Sequence, residues 1–126
     1  MRDTILVIDD SASMRAVTKM ALAHLGHPVV EAENATKAMQ LLAGGQIGLI
    51  LSDVNMPGLS GIDLLKKVKG DANLRAIPFV LLTTEGSKDM LEQGRAYGAK
   101  AWIVKPFKTD SLVTTVEKIF DSMVVH

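Results

Sequence analysis

Residues 5–10 read Ile5-Leu6-Val7-Ile8-Asp9-Asp10, four apolar side chains closed by two aspartates. A strand with one wet face alternates apolar and polar residues, whereas a run apolar at every position fits a strand covered on both faces. The same pattern returns along the chain. Leu49-Ile50-Leu51 is closed by Ser52-Asp53, Pro78-Phe79-Val80-Leu81-Leu82 by Thr83-Thr84, and Ala101-Trp102-Ile103-Val104 by Lys105-Pro106. Pro28-Val29-Val30-Glu31 is a shorter strand candidate.

Helical spacing fills the intervals. Met14, Val17, Ala21 and Leu25 recur every three or four residues, with Gly26 as the stop. Asn34 caps a helix through Ala35, Ala38, Met39 and Leu42 that ends at Gly44-Gly45. Ser60 and Asp63 form a capping box before Leu64, Leu65 and Val68. A weaker helical stretch runs from about Ser87 to Tyr97. Thr109 caps a last helix carrying Leu112, Val113, Val116, Ile119, Phe120 and Met123 on one stripe. Strict strand–helix alternation implies an α/β fold, a doubly wound five-stranded parallel sheet with helices on both faces. The chain reads as a single domain over 1–126, with no linker, internal repeat or low-complexity segment.

Composition narrows the function. The 126 residues are 48% hydrophobic and 22% charged, a globular balance, with 14 basic and 14 acidic side chains. Zero net charge argues against a nucleic-acid partner held through phosphates. The absence of cysteine excludes a disulfide scaffold and thiolate metal or redox sites, and suits a cytoplasmic protein. The apolar run Ile5 to Ile8 is too short for a signal-peptide core, and no stretch approaches the ~18 apolar residues of a membrane span.

The reactive side chains all follow strands: Asp9 and Asp10 the first, Asp53 the third, Thr83 the fourth, Lys105 the fifth. Open parallel sheets bind ligands outside the carboxyl ends of their strands, where strand order reverses. With the order 2-1-3-4-5, Asp9, Asp10 and Asp53 converge there, beside Thr83 and Lys105. Each residue taken alone reads as well as a turn, a helix cap or a solvated strand end. Three gathered carboxylates repel one another unless a positive charge lies among them. A lysine and a hard divalent cation supply that charge, and Mg²⁺ with its preference for oxygen ligands is commonly shared with phosphate. The cluster therefore reads as a phosphoryl site. His24, His27 and terminal His126 lack companion ligands, and the seven methionines read as core filler.

IDDSASMR at 8–15, SDVNMPGLSG at 52–61, LLTTEG at 81–86 and AWIVKPF at 101–107 together resemble a response-regulator receiver domain, most closely the stand-alone chemotaxis (CheY-like) type. The resemblance covers nearly the whole chain. It implies a flavodoxin-like sheet in the order 2-1-3-4-5, already known for this fold. It implies Asp53 as the phosphorylated nucleophile, with Lys105 and Thr83 contacting the phosphoryl group. It implies Mg²⁺ held by Asp10, Asp9 and Asp53 with the Asn55 backbone carbonyl, and a cis bond before Pro106. Side chains at Asn55 and Glu85 are expected to tune phosphoryl lifetime. Trp102 stands where the switch aromatic is more often Tyr or Phe. The output face is expected at Lys88, Leu91, Lys100 and Trp102.

The function so implied is a two-component response regulator rather than a turnover enzyme. A histidine kinase donates the phosphoryl group, and an output protein such as a flagellar motor switch component binds the activated state. A phosphatase is a further expected partner; nucleic acid and membrane are not. A phosphorelay carrier serving a histidine phosphotransferase domain is the alternative. A haloacid-dehalogenase-type phosphatase needs a D-x-D motif at the first strand, and a flavodoxin a Ser/Thr/Gly-rich loop there; this chain has Asp9-Asp10-Ser11-Ala12-Ser13.

Overall fold

The structure, a computed structural model, describes residues 3–56, 58–84 and 88–122. Strands β1 (Thr4–Ile8), β2 (Val29–Ala32), β3 (Ile47–Asp53), β4 (Phe79–Thr83) and β5 (Ala101–Val104) pair in parallel in the order β2-β1-β3-β4-β5. Helices α1 (Ala12–Leu22), α2 (Ala35–Leu42), α3 (Gly61–Lys69), α4 (Lys88–Ala96) and α5 (Thr109–Ser122) alternate with them. The arrangement is flavodoxin-like.

Alternate side chains of each strand feed two cores. Leu6, Ile8, Ile50, Phe79 and Leu81 point into one, with Ala38 and Leu42 of α2 and Ile62, Leu65 and Val68 of α3. Ile5, Val7, Leu49, Leu51, Val80 and Leu82 point into the other, with Leu22 of α1 and Leu112, Val116 and Ile119 of α5. Every residue of β1, β3 and β4 is buried, as uninterrupted apolar runs demand.

Several boundaries differ from the periodic reading. Helix α1 buries Thr18, Ala21 and Leu22, while Val17 lies 52% exposed. Thr18 can be buried because its hydroxyl donates to the Met14 carbonyl at 2.9 Å, leaving only its methyl to pack. The helix gives way to a 3₁₀ turn over Ala23–Leu25, and Gly26 takes a left-handed φ of 75°. Ser60 and Asp63 form the expected capping box, whereas Thr109 is the first residue of α5 rather than its cap. His27 stacks on Phe120, ring centroids 4.1 Å apart, at the sheet end away from the aspartates. Expectations at Glu85, Ser87, Met123 and His126 fall outside the described residues. Among the described residues, no helix is long and apolar enough to cross a membrane.

Candidate functional site

Strand register brings the reactive residues level. Ile8 pairs with Ser52, Asp53 with Leu82, and Thr83 with Val104, so β1, β3, β4 and β5 end together. Asp9 follows β1, Asp53 is the last residue of β3, Thr83 the last of β4, and Lys105 follows β5. Carboxylate oxygens of Asp9, Asp10 and Asp53 lie within 4.8 Å of one another. The Lys105 ammonium stands 3.0 Å from Asp9 Oδ2 and 3.5 Å from Asp53 Oδ1, with all three side chains at most 10% exposed.

The two neighbouring aspartates differ in surroundings. Asp9 is buried; its Oδ1 accepts the Ser11 N–H at 2.9 Å and its Oδ2 accepts from Lys105. Asp10 is exposed and makes no ion pair among the described residues. Asp10 therefore has the freer carboxylate for a cation, while both oxygens of Asp9 already serve the fold. Burial pushes the Asp53 carboxyl above its ordinary range, and the Asp9 charge pushes the same way. Lys105 and the Asn55 backbone N–H oppose that rise. Carboxylates alone form a hard oxygen donor set, suited to a cation such as Mg²⁺ rather than to a soft metal.

Thr83 is fully buried, and its carbonyl accepts the Lys105 N–H at 2.6 Å, tying β4 directly to the lysine. The Lys105–Pro106 peptide is cis. Asn55 is exposed next to Asp53. Trp102 packs partly buried against the α2–α3–α4 core, and its Nε1 is buried without a hydrogen-bond partner among the described residues. Of the four output-face residues, Lys88 and Lys100 are exposed as expected, whereas Leu91 and Trp102 are partly buried. Leu91, Lys100 and Trp102 line one recess of about 130 Å³ with Arg95, Ala99 and Ala101. Lys88 is not part of its lining.

Two supporting residues had no role in the sequence reading, although both lie inside the quoted motifs. Arg15 Nη1 donates to the Asp9 carbonyl at 2.6 Å, while its Nε pairs with Glu31 of β2 at 3.2 Å. Gly61 has no room for a side chain, because a Cβ there would collide with the Asp53 carbonyl oxygen. Its N–H donates to the Val54 carbonyl at 2.8 Å. Nothing in periodicity marks either residue; one is read by a strand partner 16 positions away and the other by backbone contact.

This acid–lysine cluster at the strand ends coincides with a family match. Residues 5–117 match the response regulator receiver domain family. The chain belongs to that family. The receiver is 36% identical over 118 residues to the chemotaxis protein CheY of Pseudomonas aeruginosa, covering 93% of this chain and 95% of that one. It is 38% identical over 117 residues to chemotaxis protein CheY1 of Helicobacter pylori, covering 91% and 94%. The receiver fold superposes on the chemotaxis protein CheY4 of Vibrio cholerae with a TM-score of 0.87 at 32% identity, covering 94% of this chain and 99% of that one.

Proposed function

We propose that this receiver, acting as one unit over 1–126, takes a phosphoryl group from a histidine kinase onto Asp53 and so controls binding to an output protein. The observation that carries the reading is the buried Asp53 carboxylate, held 3.5 Å from Lys105 beside Asp9 and Asp10. An Asp53 carboxylate oxygen attacks phosphorus, the N–P bond of the phosphohistidine breaks, and the departing imidazole nitrogen takes a proton. Lys105, 3.5 Å from Asp53 Oδ1, would pair with the incoming charge, and the hydroxyl of Thr83, at the end of the neighbouring strand, would bond a phosphoryl oxygen. Asp10, Asp9, Asp53 and the Asn55 carbonyl would hold Mg²⁺, which supplies charge neutralisation on the phosphoryl oxygens.

The resulting aspartyl phosphate is part of the regulator itself, so the receiver turns over no external substrate. The recess is lined by Leu91, Ala99, Ala101 and Trp102 together with the cationic residues Arg95 and Lys100, chemistry that suits an output peptide carrying apolar and acidic residues. Relatives described as chemotaxis proteins support a flagellar motor switch component as that partner. The test is labelling by acetyl phosphate with Mg²⁺. The wild-type chain acquires a phosphate that base or hydroxylamine releases, as expected of an acyl phosphate, and Asp53→Asn acquires none. Equal labelling of Asp53→Asn overturns the assignment.

A further inference from the structure

Gly94 is the buried residue of α4, and it lies against the tryptophan of the neighbouring strand. A Cβ built on Gly94 would stand 2.8 Å from Leu81 Cδ1, 3.0 Å from Trp102 Cζ3 and 3.2 Å from Trp102 Cε3. Interiors are packed too closely for neighbours to absorb such contacts without moving. The two indole atoms belong to the benzo ring, which phenylalanine and tyrosine lack. Glycine is also the poorest helix former after proline, so α4 gives up helix propensity at the position that crosses Trp102.

We infer that Gly94 is the positioning residue for Trp102. Its missing side chain opens the slot in α4 that receives the benzo ring, and it thereby sets how far inward the indole lies. Among the described residues the seated indole N–H is buried without a hydrogen-bond partner, a cost that water or a partner group would relieve. The inward position is therefore opposed by one polar atom and maintained by packing, so a single methyl at position 94 is enough to shift it. The same indole forms part of the wall of the Leu91–Arg95–Lys100 recess, so moving it reshapes that surface. The consequence for output rests on the function proposed above; the seat itself does not.

The experiment compares the full chain with Gly94→Ala, Trp102→Phe and the double variant, without phosphodonor. Gly94→Ala lowers the melting midpoint by about 3–8 °C with Trp102 present, the penalty of overpacking. In the Trp102→Phe background the loss is clearly smaller, because only the Leu81 contact remains and alanine favours the helix. Emission from Trp102, the chain's one tryptophan, moves to longer wavelength in Gly94→Ala, and acrylamide quenching rises. Equal midpoint changes in both backgrounds, or unchanged emission and quenching, overturn the inference. If Gly94→Ala alone does not fold, a folded double variant supports the inference and an unfolded one overturns it. None of these readouts requires phosphorylation, so failure of the proposed function leaves them intact.

Discussion

The Lys105 ammonium lies 3.5 Å from Asp53 Oδ1 and is shared with Asp9, which it meets at 3.0 Å. One cation therefore offsets two buried carboxylates, and the third, on Asp10, faces solvent. A site so arranged is under-neutralised by design of its own chemistry, and it has use for further positive charge. Four consequences are measurable.

Lys105→Ala strands two buried carboxylates. Removing one partner of a buried ion pair costs about 3 kcal/mol, and here the loss is expected in urea unfolding near neutral pH. The loss shrinks on acidification as the orphaned Asp53 carboxylate, raised by burial, takes up a proton. A change below about 1 kcal/mol at neutral pH indicates that Lys105 is solvated in solution and does not neutralise the pair.

Asp53 governs a pH dependence of known sign. Burial and the Asp9 charge raise its folded value above the ordinary 3.8, so the folded state favours the protonated form. Its contribution to stability is fully present below 3.8 and is lost as pH rises through the raised folded value. In metal-free buffer, Asp53→Asn is then increasingly more stable than wild type as pH climbs through that window, with a plateau above it. Thermal melting from pH 4 to 8 measures this. A stability difference that stays constant across the range contradicts the raised value.

Asp10→Ala removes one of three mutually repelling carboxylates without disturbing the Lys105 pairs. The metal-free protein is expected to keep its stability or gain up to about 1 kcal/mol. Mg²⁺ at 100 times its dissociation constant stabilises a binding protein by about 2.7 kcal/mol, so the wild-type midpoint rises with Mg²⁺ and the Asp10→Ala midpoint does not. An equal Mg²⁺ response in both proteins places the cation elsewhere.

Thr83 is expected to couple the site to Trp102. The two residues lie on adjacent strands, β4 and β5, and Leu81 of β4 pairs in register with Trp102. Mg²⁺ with beryllofluoride, a phosphoryl mimic, shifts the Trp102 emission of wild type, while Mg²⁺ alone does so much less. Asp53→Asn flattens the response by losing the ligand, and Thr83→Ala by losing the link. Phosphorylated Thr83→Ala still carries phosphate but binds the output partner several-fold more weakly. Unchanged emission under saturating beryllofluoride makes Trp102 a packing residue only.

Much of the architecture was legible because burial leaves a one-dimensional trace. Ile5-Leu6-Val7-Ile8 has no polar face, and the structure covers both of its sides. Periodicity selects a helix face only to within about one residue, so it groups Val17 with Met14, Ala21 and Leu25 and leaves Thr18 out. The structure reverses them because the Thr18 hydroxyl is satisfied within its own helix. Such local self-satisfaction is invisible to an apolar/polar alphabet.

Each apolar run is closed by its reactive residue, Asp9, Asp53, Thr83 or Lys105, so the one-dimensional pattern is enough to put these residues at the carboxyl ends of their strands. Strand order then followed from a resemblance carried by four short motifs. The folded molecule selects which pairs meet. It joins Lys105 to Asp9 across 96 positions, hangs the Asp9 carbonyl on Arg15, and sets Gly94 against the indole of Trp102. The reason is physical. Periodicity records which side of an element is dry, and that depends on near neighbours in the chain. A hydrogen bond or a close contact depends on distances of a few ångströms between separate elements, and those are set by sheet register and helix packing together.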